Sequence, residues 1–330
     1  MKPNDYTPPF TLSAKAVSMI ADIAALTERF AIRMEQRDAL RLRRINRIKT
    51  IQSSLAIEGN SLSEEQVTAI LEGRRVVAPL REIQEVKNAI ATYDLYPKLN
   101  PFSVDDLLKA HRVMMSALID DEGVFRHGSV GVTDGANVVH IAPPAHRVPT
   151  LMHNLFQWLA HAEDHLLVRS CVFHYEFEFI HPFSDGNGRM GRLWQSLILG
   201  KFHAAFQHLP VETMVHDNQQ AYYDALNRST REGQCGVFVD FMLGEILQSL
   251  RVHATRKSGA VNGAVNGAVN VLEYIRKNPG CRANEISESL SIPFRSVQRH
   301  IAVLRKKKDV EFRGAPKNGG YYLMRGGNGF

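Results

Sequence analysis

The twelve residues His181-Pro-Phe-Ser-Asp-Gly-Asn-Gly-Arg-Met-Gly-Arg192 constrain this chain more than any other segment. They set proline, a Gly-Asn-Gly turn and a third glycine between an apolar run ending at Ile180 and another, Leu193 to Leu199. That composition suits neither a continuous helix nor a strand, so the chain must leave one element, turn sharply and enter a helix. A loop feeding a helix N-terminus gathers unpaired backbone N–H groups, which bind anions well. His181, with an intrinsic pKa near about 6.5, can accept a proton there. Asp185 can ligate Mg2+, which favours carboxylate oxygens together with phosphate oxygens. Gly186, Asn187 and Gly188 let a diphosphate come close to the backbone. Arg189 and Arg192, three apart on the following helix, can fork onto further phosphate charge. Each part alone would also suit a structural turn, an N-cap or a solvated face. Together, in this order, they read as a phosphate site with a base and a metal ligand beside it.

The rest of the chain is mostly helical in pattern. Apolar residues recur at helical spacing in Ser13–Arg37 and Leu40–Ile57, and Glu58-Gly-Asn-Ser-Leu-Ser63 breaks the run. Ser63 with Gln66 forms a capping box for a helix to about Leu71. Further helices are expected over Ile83–Tyr96, Val104–Ala117, Val148–His161, Leu166–Ile180, Gly191–Phe202, Asn218–Ser229 and Gly236–Thr255. Ser129–Ile141 differs: Val130, Val132, Val138 and Val139 surround Thr133-Asp-Gly, a hairpin signal. Gly-Ala-Val-Asn then repeats three times over Gly259–Asn270, a unit too short for a solenoid and suited to a linker. Beyond it, Ala283–Leu290 and Phe294–Arg305 read as two short helices, and Lys308–Leu323 as two strands around a Gly-rich turn. Helix, helix-turn-helix and hairpin resemble a winged helix.

The loop segment resembles the signature of the Fic family, HPFx[D/E]GN[G/K]RxxR, at every defined position. The resemblance extends over about Leu40 to Leu250. It implies a mainly α fold with a β-hairpin flap and the transfer of AMP from ATP to a Ser, Thr or Tyr hydroxyl of a protein, which can be the enzyme itself. Carried over by position, His181 would deprotonate the hydroxyl and Asp185 would hold Mg2+. Gly186, Asn187 and Gly188 would cradle the α- and β-phosphates, and Arg189 and Arg192 the phosphate tail. Gly188, where kinase-like relatives carry Lys, favours AMP transfer. The pair Tyr222-Tyr223 resembles residues beside the adenine, although tyrosines on a helix are as readily core. Val132, Thr133, Val138 and Val139 fall in the family's flap, where an exposed strand edge could dock the target by β-augmentation.

Ser54-Leu-Ala-Ile-Glu58-Gly59 would on its own be a helix C-terminus, Ser54 and Glu58 sharing a face and Gly59 ending the helix. In a Fic-like chain it resembles the inhibitory [S/T]xxxE[G/N] motif, in the subclass that places it before the catalytic core. That resemblance implies a pair between Glu58 and Arg192 that denies the γ-phosphate its partner. In some relatives the same glutamate supports removal of AMP from modified protein.

These elements and the resemblance together imply four regions: an N-terminal helical extension (1–39), a Fic domain (40–255) holding the inhibitory helix (about 40–60) and flap (about 129–141), a linker (256–270) and a winged-helix-like domain (271–330). Net charge is +6, yet residues 271–330 hold 12 Lys/Arg against 5 Asp/Glu, so the basic excess is local. Arg295, Ser296, Gln298 and Arg299 lie early in the second helix of that region, where side chains reach base edges and bind DNA. Winged helices also bind proteins. A DNA-binding tail would suit a homodimer. No apolar run approaches the ~20 residues of a membrane span, and the first residues lack a signal peptide's apolar core, so the expected compartment is the cytoplasm. Cys171, Cys235 and Cys281 form neither metal spacing nor a disulfide framework. Two functions stay open: an ATP- and Mg2+-dependent adenylyltransferase, or a DNA-binding regulator whose Fic-like body senses nucleotide.

Overall fold

The structure is a computed structural model. It describes residues 6–34, 39–134, 137–255, 271–272, 274–276, 278–290, 294–306, 309–314 and 319–324, with the backbone alone at 33–34, 39, 41–42, 131–134, 137–141, 254–255, 295–296, 303 and 306. Two compact units emerge, Met1–Ala254 and Thr255–Phe330.

In the first unit the central element is α7 (Leu166–Ile180), reached through α1 (Ala14–Met34), α2 (Ala39–Ile57), α3 (Glu64–Leu71), α4 (Leu80–Leu95), α5 (Val104–Met114) and α6 (Val148–His161). Helix α7 is apolar on every side: Leu167, Val168, Cys171, Val172, Phe173, Phe177 and Ile180 are all buried. Only a helix surrounded by protein can carry that pattern. Helix α8 (Asn187–Phe202) follows after six residues and packs along α7. Then come α9 (Val211–Asp217), α10 (Gln219–Glu232) and α11 (Gly236–Thr255). Buried Phe238, Met242 and Ile246 bring α11 into the same core. All three cysteines are buried free thiols.

Local chemistry sets the boundaries. Ser63 and Gln66 form the expected capping box, and Ser103 accepts from the Asp106 N–H to start α5. Gly59, at φ 91°, ends the turn after α2 with open space around it, so backbone conformation alone demands glycine. Several boundaries depart from expectation, among them the start of α4 at Leu80 and the end of α10 at Glu232, and two have a local cause. Helix α8 begins at Asn187 rather than Gly191, because Gly186 at φ 82° supplies the N-cap four residues early. Helix α5 stops at Met114, and Ala117 turns the chain with φ 58°. The short α9 escaped the periodicity reading, which needs a longer window.

The hairpin is present as β1 (Gly131–Asp134) and β2 (Asn137–Ile141), antiparallel. Val132 faces His140 while Thr133 faces Val138, so Val139 is the extra residue of a bulge. In the second unit, helices Ala283–Leu290 and Phe294–Lys306 precede β3 (Val310–Arg313) and β4 (Gly320–Leu323), which pair antiparallel. A Cys281–Tyr321 bridge ties the start of the helices to β4. Val271, Ile275, Ile286, Val297, Ile301 and Val310 form its small core. The Gly-Ala-Val-Asn repeats lie outside the described residues. Among the described residues no helix is long and apolar enough to cross a membrane.

Candidate active site

His181 is the C-cap of α7 and lies in the left-handed region, φ 50° and ψ 63°. A β-carbon there costs about 1–2 kcal/mol, and such strain persists only where the surroundings impose it. Arg126 imposes it. Its guanidinium donates to the carbonyls of His181 (2.7 Å), Ile180 (3.2 Å), Gly128 (2.9 Å) and Pro143 (2.5 Å), and its backbone N–H donates to Pro182 O (2.9 Å). The residue is 3 % exposed. One buried cation thus clips both ends of the flap segment to the carbonyl of the histidine.

His111 supports the other side of the loop. The Gly123 N–H donates to its Nδ1 (2.8 Å), so the proton sits on Nε2, which donates to the Asp185 carbonyl (3.0 Å). Burial pushes its pKa down to about 4, so the ring is neutral around pH 7. It stacks on Phe183, ring centres 3.6 Å apart. Asn187 closes the loop: its side chain accepts from the Phe183 N–H and donates to the Phe183 carbonyl, both at 2.9 Å. The amide side chain therefore builds the cradle instead of facing a ligand. Neither Arg126 nor His111 was singled out from sequence. Each looks in sequence like any other polar residue of its segment, and the bonds that join it to the loop span 55 and 74 positions.

The glycines are needed where they stand. A Cβ on Gly186 would meet the Met115 sulfur at 2.6 Å. Asp185 accepts from the Gly186 N–H (2.6 Å) and Arg189 (3.2 Å), with Arg81 at 3.4 Å, and its side chain stays 41 % exposed. Arg189 is buried, its Nε without a hydrogen-bond partner, and Glu85 stands 4.0 Å from its guanidinium. Glu85 also accepts from Asn60 (2.8 Å), and Glu82 takes the N–H and hydroxyl of Ser61. The start of α4 therefore grips the segment that leaves α2.

Arg192 is 3 % exposed and wholly engaged by α2 and its following turn. It donates to Ser54 Oγ (3.2 Å), the Ser54 carbonyl (2.9 Å) and Glu58 (2.7 Å). Burial alone would lower its pKa, but Glu58, with Tyr222 and Glu178 nearby, holds it above the ordinary arginine value. Glu58 also presses on Gly188: any Cβ there would collide with its carboxylate and lie 3.0 Å from Arg192 Nη1. Helix α8 has no side-chain cap of its own. The carboxylate of Glu58 thus sits where an incoming anion would lie against the first turn of α8.

Behind this pair is a buried polar layer. The Tyr222 hydroxyl donates to His174 Nε2 (3.1 Å), and His174 Nδ1 donates to Gln195 (2.7 Å). His174 is completely buried and burial lowers its pKa to about 4. Glu178, 3.8 Å from His174, is also enclosed; burial raises its pKa to about 7, Arg192 opposing and Glu58 reinforcing. His174 and Glu178, four positions apart on α7, share a helix face. Tyr222 is a correction to the adenine-side pair. At 2 % exposure, packed on Phe238 and bonded to His174, it is core. Tyr223, 38 % exposed, keeps an accessible ring.

At the flap, Val132 and Thr133 lie on β1 and Val138 and Val139 on β2; their side chains are outside the described ones. In the second unit Gln298 and Arg299 are exposed on the helix Phe294–Lys306, while the side chains of Arg295 and Ser296 are outside the described ones.

Comparison with known proteins matches this geometry to one family. The profile of the Fic/DOC family matches residues 101–199. Protein adenylyltransferase Fic of Nematostella vectensis is 29% identical over 204 residues, 58% of this chain and 45% of that protein. The Aedes aegypti protein of the same name is 30% identical over 206 residues, 59% of this chain and 39% of its own. The chain therefore spans less than half the length of these curated relatives. A solved Fic family protein from Desulfovibrio desulfuricans G20 is 39% identical, covers 98% of this chain, is itself covered over 100%, and superposes with a TM-score of 0.74. With this match along its whole length, and with the loop folded as described, the chain belongs to the Fic family.

Proposed function

We propose that this chain is a protein adenylyltransferase that transfers AMP from ATP to a Ser, Thr or Tyr hydroxyl of a protein, itself included, and that Glu58 holds it in check. The observation that carries the reading is the first turn of α8, which no side chain caps, within the loop that runs from His181 to Arg192, with the Glu58 carboxylate against Gly188 and Arg192. The relatives' shared name, protein adenylyltransferase, supports the same reaction class.

His181, at the strained end of α7, takes the proton from the target hydroxyl. The hydroxyl oxygen bonds to the α-phosphorus, the α–β phosphoanhydride bond breaks, and pyrophosphate leaves. The N–H groups at the start of α8 and the guanidinium of Arg189 receive the negative charge, so catalysis rests on positioning and preorganised charge. Asp185 offers one partly exposed carboxylate beside the phosphate cradle, a donor set that fits Mg2+ held jointly with substrate oxygens. Bound there, Mg2+ would neutralise phosphate charge. Glu58 competes with the γ-phosphate for Arg192 and repels it from Gly188. Tyr223 offers a ring for the adenine, and the outer edges of β1 and β2 offer main-chain bonds to a target segment.

For the second unit we propose a winged helix that binds DNA, with Gln298 and Arg299 toward the bases, in a homodimer. Its basic excess supports that reading.

The test uses the full chain with Mg2+ and ATP labelled on the α-phosphate. Glu58→Gly should incorporate label at least about tenfold faster than the unmodified chain. Adding His181→Ala should then remove about 10²–10⁴-fold of that rate. Equal labelling by the unmodified and Glu58→Gly proteins would remove the inhibitory role, and persistent labelling without His181 would remove the base.

A further inference from the structure

Away from the catalytic loop, α2 lines a second cavity. It encloses about 610 Å3 beside the ends of α3 and α4, the Ala204–His208 turn and α8. That is the size of a small-molecule site. Arg43, Arg44 and Arg47 line it against one carboxylate, Glu72, and Tyr93 and Tyr96 contribute ring surface. The tyrosine hydroxyls already serve protein partners, Tyr96 donating to the Ser196 carbonyl (2.7 Å) and Tyr93 to Glu212 (3.5 Å). Their carbon faces are what remains for a ligand. Arg44 pairs with Glu72 and Arg47 with Asp94, both partly exposed ion pairs of the kind that contribute little and yield to a stronger anion. The Nε of Arg47 is buried without a hydrogen-bond partner.

We propose that this cavity binds a mononucleotide, its phosphate on the arginines and its base against the tyrosines, independently of the catalytic loop. A phosphate monoester matches forked guanidinium donors better than an isolated carboxylate does, and an aromatic base matches tyrosine faces. The site also bears on the inhibitory segment. Arg43, Arg47, Thr50, Ser54 and Glu58 follow one another at steps of three or four, along one face of α2 and its extension. Thr50 lines the cavity and donates to Glu212 (3.3 Å), a buried carboxylate on which the charge of Arg192 acts.

The experiment is calorimetric titration of the full chain with AMP, in a Gly188→Val background that fills the catalytic cradle. One AMP should still bind. Arg43→Gln with Arg44→Gln should weaken it about tenfold or more, the loss of about one charge-assisted contact. Gln207→Trp, at an exposed lining position with the arginines untouched, should weaken it to the same degree by obstruction. Inorganic phosphate should bind at least about tenfold more weakly than AMP. Loss of AMP binding on Gly188→Val alone would overturn the site. Indifference to both cavity variants in proteins that melt normally would do the same. Equal affinity for phosphate and AMP would overturn the nucleotide class.

Discussion

The loop His181–Arg192 and the segment Ser54–Ser61 meet at Arg192, yet they are held in different ways. The loop is fixed from within and behind. Arg126, His111 and Asn187 are buried, and their hydrogen bonds go to backbone atoms that have nowhere else to turn. The segment that carries Glu58 is held from its surface. Glu58 remains 35 % exposed on its side chain and follows the last residue of α2. Beyond it, Asn60 and Ser61 hang on Glu82 and Glu85 at the start of α4. The difference teaches that the loop is rigidly preorganised while the carboxylate against it is the more loosely held partner. Moving Glu58 exposes one carboxylate to water and leaves Arg192 its bonds to Ser54, whereas moving the cradle would strand several buried carbonyls, each at a cost of about 1–3 kcal/mol.

The strongest way to break this contrast is to loosen the rigid side. Arg126→Ala, made in Glu58→Gly, should lower the turnover of α-labelled ATP by about 100-fold, the scale of a misplaced reacting group. Arg126→Lys should recover only part, because a point charge cannot serve four carbonyls at once. A loss below about tenfold in a protein that still melts cooperatively would mean the loop keeps its shape unaided.

A smaller effect sharpens the other side. Ser54→Ala removes one 3.2 Å bond to Arg192 and leaves the Ser54 carbonyl and Glu58 in place. Labelling by the otherwise unmodified chain should rise about threefold, as a bond worth about 0.5–1 kcal/mol dictates. An unchanged rate would show that Glu58 alone holds the arginine.

The smallest effect concerns stability. Glu178 titrates at about 7 in the folded protein, through burial, against an ordinary 4.5. Its folded pKa is the higher, so its contribution to stability is full below about 4.5 and is lost as pH rises to about 7. Glu178→Gln should therefore melt a few degrees above the unmodified chain at pH 8, at about 2–4 °C per kcal/mol, with the gap narrowing towards pH 5. A gap that does not change with pH would place the glutamate's titration at its ordinary value.

The helices were legible wherever a face was periodic and a cap was local, as at Ser63, Ser103 and Gly59. The start of α8 was misread because glycines normally break helices, whereas here Gly186 caps one. The pairing of Glu58 with Arg192 follows from family resemblance alone, since nothing in residue spacing joins positions 134 apart, and the bonds from Arg192 to Ser54 have no sequence signal. Tyr222 was assigned to the nucleotide when its hydroxyl belongs to His174, because an aromatic residue on a helix looks the same in sequence whether it faces core or cleft.

By itself, the sequence determined what depends on neighbours along the chain. A contiguous dozen residues carries the histidine, the carboxylate, the glycines and the arginines, so their order already specifies a loop and a helix N-terminus. Only the tertiary structure decided which groups hold that loop in place. Arg126 and His111 come from separate elements, and their effect arises from burial and from hydrogen bonds closed across the fold, which no local pattern encodes.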